Sequence, residues 1–156
     1  MKSYKIKLKI RSLEFGNFHL FVQGKRNGMP LNICVDTGAS RTCIDKEFFL
    51  KNISTELNNY ESAINATLGT TNLEVFESQI ENLSIGRFKL PDFNVAIVDM
   101  NAINQAYKMV KLPPIQMILG SDFFVSYNAV IDCLNNELIL NIVPLGVRKK
   151  LGRLYG

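Results

Sequence analysis

A segment typical of a β-strand, residues 31–35, ends directly before Asp36. Three of its residues in succession, Ile33, Cys34 and Val35, are apolar, which predicts a strand that is buried on both of its faces. Such a strand delivers the Asp36 carboxylate to its carboxyl end. Burying a carboxylate costs free energy unless hydrogen-bond donors surround it, so the residues that follow Asp36 must supply those donors.

The residues after Asp36 have the properties that such a carboxylate needs. Gly38 permits a tight turn and lets backbone N–H groups approach the carboxylate. Thr37 and Ser40 each add a hydroxyl group. A carboxylate held in this way is suited to general acid–base chemistry. The alternative is an Asp that caps a turn, and the Asp-Thr-Gly tripeptide alone does not separate the two, because it also occurs by chance.

The rest of the sequence also favours β structure. Residues 4–11 alternate strictly between apolar side chains and cations, which is the period of a half-buried strand. Two further segments, residues 129–134 and 137–142, flank Asn135-Asn136, and asparagines suit a two-residue turn because they tolerate positive φ. These patterns predict an all-β fold.

Helices are expected to be few and short, at residues 46–51 and 101–110, with a helical turn at 121–126. Asp45 is a suitable N-cap for the first of them, and Asn101 or Asn104 for the second. The sequence contains no internal repeat and no linker. We therefore predict a single domain at residues 1–143, with one or two short helices, and a basic tail at residues 144–156.

The net charge of +4 first suggests a partner that carries phosphates, but the distribution of the charge argues against one. Nine of the 18 Lys and Arg residues lie within residues 1–11 and 148–153, which contain no acidic residue. The other nine stand against 14 Asp and Glu, so the middle of the chain is acidic. The C-terminal end also lacks the interleaved aromatic residues of a base-stacking surface, and we expect no nucleic-acid partner.

Several classes of function are excluded by what the sequence lacks. No stretch approaches the ~20 apolar residues that span a bilayer, and lysines interrupt the start where a signal peptide would be apolar, so we expect a cytoplasmic protein without a membrane span. The single histidine, His19, argues against a zinc site and against histidine-dependent nucleophiles. Cys34, Cys43 and Cys133 form no C-x-x-C pair, which indicates buried, inert thiols. We predict no cofactor and no metal.

The whole run around Asp36 resembles the active-site signature of aspartic proteases. The apolar strand, the Asp-Thr-Gly and the two residues after it, Ala39 and Ser40, agree with that signature. Ala39 at this position is similar to the retropepsin-like members of the family. The resemblance implies that Asp36 is catalytic and that Thr37, Gly38, Ala39 and Ser40 form its supporting loop.

A second segment resembles the same family. Ile118-Leu119-Gly120 is similar to the family's hydrophobic-hydrophobic-Gly motif, which passes behind the catalytic loop. In the family a short helix follows that motif, and residues 121–126 fit it. The resemblance covers residues 18–142 and implies a retropepsin-like closed β-barrel.

The chain contains one Asp-Thr-Gly, whereas the chemistry of aspartic proteases needs two carboxylates about 3 Å apart that share one proton, because like charges that close cannot both ionise. A two-fold homodimer supplies Asp36 twice. The resemblance therefore implies an endopeptidase in which a water held between two Asp36 carboxylates attacks an extended peptide. It also implies that Thr37 bonds to the opposite loop and stiffens the pair.

The resemblance assigns the family's flap to the hairpin around Leu68, Gly69 and Thr70, which would close over the peptide and exclude water. A plain surface hairpin is the alternative. Two features depart from the viral enzymes. Ser121 stands where many of them carry a basic residue that supports an inter-subunit salt bridge, and the chain is longer between the flap and Ile118.

Two other functions stay open at this point. A catalytically inactive retropepsin-like module would keep the fold, dimerise and bind peptides without cleaving them. A nucleic-acid accessory protein would use the basic ends and would bind in a salt-dependent manner.

Overall fold

A computed structural model describes residues 1–12, 16–59 and 76–143. Its strands are β1 (Lys2–Lys7), β2 (Lys9–Ser12), β3 (Phe18–Arg26), β4 (Met29–Val35), β5 (Cys43–Asp45), β6 (Asn58–Asn59), β7 (Phe76–Ile80), β8 (Leu83–Ile85), β9 (Phe88–Lys89), β10 (Phe93–Val98), β11 (Met117–Leu119), β12 (Val130–Asp132) and β13 (Glu137–Ile142). Its helices are α1 (Lys46–Asn52), α2 (Asn101–Met109) and α3 (Ser121–Ser126). The predicted fold class, mostly β with few short helices, is confirmed.

β4 lies in the interior of the larger sheet. Within the described ranges the strands of this sheet follow the order β6-β7-β10-β5-β11-β4-β3-β8-β9, and β2 also pairs with β3. Every residue from 31 to 35 is buried, and Ile33 is completely so. The prediction of a strand that is buried on both faces is therefore confirmed.

The lysine-rich first segment forms two strands instead of the single one that its alternation predicts. β1 pairs with β13 in a smaller sheet of order β1-β13-β12, whereas β2 pairs with β3 in the larger sheet. Between them, the Leu8 N–H donates to the Asn136 carbonyl at 2.8 Å. Ile6 and Leu8 are buried, whereas Ile10, which lies in β2, is 38% exposed.

The last hairpin turns over four residues where the sequence predicts two. β12 ends at Asp132 and β13 begins at Glu137, so residues 133–136 form the turn. The Asp132 carboxylate accepts hydrogen bonds from the Asn135 N–H at 2.9 Å and from Asn135 Nδ2 at 2.8 Å. These bonds lower the pKa of Asp132. Asn136 has a φ of 55°, so the expected positive φ is present, but the longer turn depends on the side chain of Asp132.

The starts of the helices agree only in part with the prediction. Asp45 caps α1, since its carboxylate accepts a hydrogen bond from the Phe48 N–H at 3.0 Å. At α2 the N-cap is Met100, and Asn104 instead bonds to both the N–H and the carbonyl of Ile115, at 2.7 Å and 3.0 Å. Asn104 therefore fastens α2 to the segment before β11. No helix in the described ranges is long and apolar enough to cross a membrane.

Two apolar clusters cover the two faces of β4. Ile33 belongs to the larger cluster, which joins buried residues of both sheets. Cys34, its neighbour, belongs to a second cluster, whose buried members are Phe21, Cys34, Met100, Tyr107 and Ile115. Full burial of a large apolar side chain stabilises a fold by about 1.5–3 kcal/mol. Tyr107 of α2 belongs to the second cluster, so α2 covers the face of β4 that carries Cys34.

Candidate active site

Two segments that are far apart in sequence meet at the carboxyl end of β4. β11 lies between β4 and β5, parallel to β4 and antiparallel to β5. In this register Leu119 stands beside Val35, and the Asp36 N–H donates to the Leu119 carbonyl at 3.1 Å. We call residues 36–42 the Asp36 loop. Residues 118–120 therefore lie directly against this loop.

The Asp36 loop turns tightly around its own carboxylate. The Gly38 N–H donates to Asp36 Oδ1 at 2.8 Å, and the Ala39 N–H donates to the Asp36 carbonyl at 3.2 Å. A Cβ atom at Gly38 would lie 3.1 Å from Asp36 Oδ1. A larger residue at position 38 would therefore crowd the carboxylate that its N–H supports.

α3 holds the same loop from the other side. The Ser121 N–H donates to the Ala39 carbonyl at 2.8 Å, and Ser121 Oγ donates to the Thr37 carbonyl at 3.1 Å. Ser121 thus bonds to the backbone of the loop in its own chain. The loop is consequently anchored both to β11 and to the start of α3.

Thr42 and Asp122 complete this anchorage, and the sequence analysis missed the role of both. Thr42 is fully buried, and both its N–H and its hydroxyl donate to Asp122 Oδ1 at 2.8 Å. Asp122 lies in the first turn of α3, whose N-cap is Gly120. Local sequence carries no signal for this pair, because its members are 80 residues apart.

An ion pair fixes the loop to a third element. Arg41 contacts the carboxylate of Glu77 on β7, and both side chains are partly buried. β7 belongs to the same sheet and pairs with β10. The end of the Asp36 loop therefore contacts β7 as well as β11 and α3.

The Asp36 loop presents its chemical groups at the surface of the single chain. Asp36, Thr37, Gly38 and Ser40 are exposed, whereas Ala39 is half-buried. The loop thus offers one exposed carboxylate that its own backbone and its neighbours hold in place. Such a group can exchange protons with a molecule that binds to this surface.

Two predicted features lie beyond what is described. Leu68, Gly69 and Thr70 of the predicted flap, and the basic tail at residues 144–156, fall outside the described residues. In the ranges that are described, no group of three or more His, Cys, Asp or Glu side chains could hold a metal ion.

Two cysteines flank Ile118 on the strands beside it, and both are close enough to Asp36 to be influenced by its charge. Burial, together with the negative charge of Asp36, raises the pKa of Cys34 to about 11. Burial and the charges of Asp122 and Asp36 raise the pKa of Cys43 to about 12. Cys133, by contrast, is exposed, so the expectation that all three thiols are buried is wrong for this residue.

These pKa values predict selective alkylation. At pH 8 only ~10⁻³ of Cys34 and ~10⁻⁴ of Cys43 would be thiolate, so iodoacetamide should modify Cys133 first. Mass spectrometry of the native protein should show one carbamidomethyl group per chain, and unfolding in guanidinium should raise this to three. Native modification of Cys34 at the rate of Cys133 would contradict the description of its environment.

Comparisons with known proteins agree on one family. A sequence profile described as aspartyl protease matches residues 22–123. The chain is similar to the crystal structure of the retroviral protease-like domain of Ddi1 from Leishmania major, with a TM-score of 0.54, 14% identity, and coverage of 81% of this chain and 94% of that one. It is also similar to a retropepsin-like aspartic protease from Rickettsia conorii, with a TM-score of 0.52, 19% identity, and coverage of 89% and 90%. A search of curated protein sequences found no match.

Proposed function

Because this chain belongs to the aspartyl protease family, we propose that it is an aspartic endopeptidase whose active site forms between two copies of the chain. Asp36 of each copy supplies one of the two catalytic carboxylates. The observation that carries the proposal is the Asp36 loop, an exposed Asp-Thr-Gly turn held by its own backbone, by β11 and by α3. The retropepsin-like fold of the chain supports it.

The proposed dimer explains why the carboxylate is exposed in one chain. Asp36, Thr37 and Gly38 lie at the surface, so a second copy related by a two-fold axis can bring an identical loop against them. The two carboxylates then lie about 3 Å apart and share one proton, because both cannot be ionised at that distance. Their titration belongs to the pair and not to either residue.

The proposed reaction uses a water molecule and no covalent intermediate. The water lies between the two Asp36 carboxylates, and the ionised carboxylate takes its proton as the water oxygen attacks the scissile carbonyl. The protonated carboxylate donates its proton to the carbonyl oxygen. As the C–N bond breaks, the pair donates a proton to the leaving amine and takes one from a hydroxyl of the tetrahedral intermediate, so it regains its shared proton. This mechanism requires no metal or cofactor.

The neighbouring residues take supporting roles in this proposal. Gly38 stabilises the carboxylate through its N–H, and Thr37 bonds across the two-fold axis to the opposite loop. Ala39 and Ser40 complete the loop, and Leu68, Gly69 and Thr70 form a flap that closes over the substrate. The substrate is an extended peptide that binds as an added strand, with backbone hydrogen bonds for affinity.

Dilution tests the two-chain site. We expect the purified protein to cleave members of a peptide library, and we expect its activity per chain to fall once the concentration drops below the dimer dissociation constant. Sedimentation at the same concentrations should show dimer converting to monomer in parallel. Undiminished activity per chain in a sample that sediments as monomer would contradict the shared pair. A dimer that binds peptides and cleaves none would instead indicate a peptide-binding module.

A further inference from the structure

We propose that Thr42 and Asp122 are positioning residues that set the location of the Asp36 carboxylate. The inference rests on the proposed function, since it assigns a role within the same site. Both residues act through the backbone of the Asp36 loop and not on the substrate. The unit that they form lies behind the loop, with Thr42 fully excluded from solvent and Asp122 half-buried.

Each oxygen of this unit donates and accepts hydrogen bonds as its chemistry allows. Asp122 Oδ1 accepts from the Thr42 N–H, from the Thr42 hydroxyl and from the Phe123 N–H, each at 2.8 Å. Thr42 Oγ1 donates its only proton to this carboxylate and accepts from the Gly120 N–H at 3.0 Å. A hydroxyl group is required at position 42 because one atom must both donate and accept.

The unit closes the loop at the end opposite to Asp36. At the first residue of the loop, the Asp36 N–H bonds to the Leu119 carbonyl, and at the last residue Thr42 Oγ1 bonds to the N–H of Gly120. Two consecutive residues of one chain segment therefore hold both ends of the loop. If Thr42 loses its hydroxyl, only the first of these two attachments remains.

Placement of this kind matters because the proposed reaction is sensitive to small displacements. Two carboxylates that share a proton across a two-fold axis must meet within a few tenths of an ångström, and any shift of one loop is repeated in the other. A displacement of about 1 Å in a catalytic group can cost ~10²-fold in rate. The effect should fall on kcat, because the loop positions the reacting groups more than it binds the peptide.

Four single substitutions test the proposal. Thr42→Val keeps the shape of the side chain and removes the hydroxyl, whereas Thr42→Ser keeps the hydroxyl. Asp122→Asn keeps the shape and removes the charge. Asp45→Asn is the control, because the Asp45 carboxylate likewise accepts two backbone N–H bonds, from Phe48 and Met100, but it is buried and serves α1 and α2.

We expect Thr42→Val to lower kcat by 10- to 100-fold while KM changes less than about threefold. Thr42→Ser should return kcat to within about threefold of wild type. Asp122→Asn keeps an oxygen that can accept the three hydrogen bonds but removes the charge that strengthens them, so it should lower kcat by less than Thr42→Val. Asp45→Asn should lower the melting temperature and leave kcat unchanged. The positioning role is wrong if Thr42→Val loses melting temperature as Asp45→Asn does and keeps the kcat of the wild type.

Amide hydrogen exchange provides a measurement that does not depend on turnover. In Thr42→Val the amides of Asp36 and Ala39 should exchange at least ~10-fold faster than in wild type, while the amides of β3 and β4 keep their protection. If the wild type cleaves no peptide, the proposed function fails, and the exchange of these amides still decides the positioning role. Equal protection of Asp36 and Ala39 in the two proteins would overturn it. If Thr42→Val does not fold, the same comparison is made with Thr42→Ala, which also removes the hydroxyl.

Discussion

Replacing Asp36 with asparagine is expected to lower kcat/KM for peptide cleavage by at least ~10³-fold, because it removes the proton acceptor and the shared proton together. The asparagine has the same shape and retains an oxygen that can accept the Gly38 N–H bond, so the fold should persist. The pair in the wild-type dimer carries one negative charge, so the substitution adds no charge repulsion between the two loops and the dimer should persist. The measurement is steady-state cleavage of a selected library peptide, with sedimentation and melting temperature recorded on the same samples.

A mixed dimer makes this prediction sharper. When Asp36→Asn protein is titrated into wild type and the subunits exchange, activity should fall in proportion to the wild-type homodimers that are lost, since one ionisable carboxylate does not form the pair. Asp92→Asn, at an exposed position, provides the same change of charge as a control and should not inhibit. Full activity in Asp36→Asn homodimers would show that the proposed chemistry is wrong.

Replacing Gly120 with alanine is expected to destabilise the fold by about 3 kcal/mol or more. A Cβ atom there would lie 2.6 Å from the Arg41 carbonyl oxygen and 2.8 Å from the Thr42 nitrogen, and closer still to the Arg41 carbonyl carbon. These are backbone atoms of the Asp36 loop and cannot rotate away. For a domain of this size the loss corresponds to a fall of about 6–12 °C in melting temperature, measured by calorimetry or circular dichroism.

Gly28→Ala is the matched control for this clash. Gly28 has a φ of +82°, and a Cβ there would meet no atom of the described chain within 4 Å. It should therefore cost only the backbone strain of about 1–2 kcal/mol. Failure of Gly120→Ala to accumulate as folded protein while Gly28→Ala does would agree with the expectation. A Gly120→Ala melting temperature within 1 °C of wild type would show that β11 does not pack against the loop as described.

The sequence predicts the elements whose signal is local. Three successive apolar residues before Asp36 are enough to predict that β4 is buried on both faces, because no other arrangement of a strand hides them all. The role of Asp45 as a helix cap is also a local signal, because the helix that it caps begins at the next residue. The sequence carries no local signal for the break at Leu8 that separates β1 from β2. That break arises because β1 pairs with β13 whereas β2 pairs with β3.

The candidate site follows the same rule. Residues 36–40 are contiguous, and their chemistry can be predicted from a carboxylate, a glycine and two hydroxyl groups. Thr42 and Asp122 cannot be found in this way, because neither is unusual among its sequence neighbours and only the fold brings them together. The same holds for Arg41 and Glu77, whose contact requires β7 to pass beside the loop.

The insertion of β11 between β4 and β5 also affects how the protein can fold during its synthesis. During synthesis residues 29–35 and 43–45 emerge first, and the strand that must separate them, residues 117–119, follows only after most of the chain. Pairings between segments so distant in sequence form slowly. The Asp36 loop can therefore adopt its final shape only after residues 117–122 have left the ribosome, and a nascent chain that ends before them carries the Asp-Thr-Gly without the contacts to β11 and α3 that hold it.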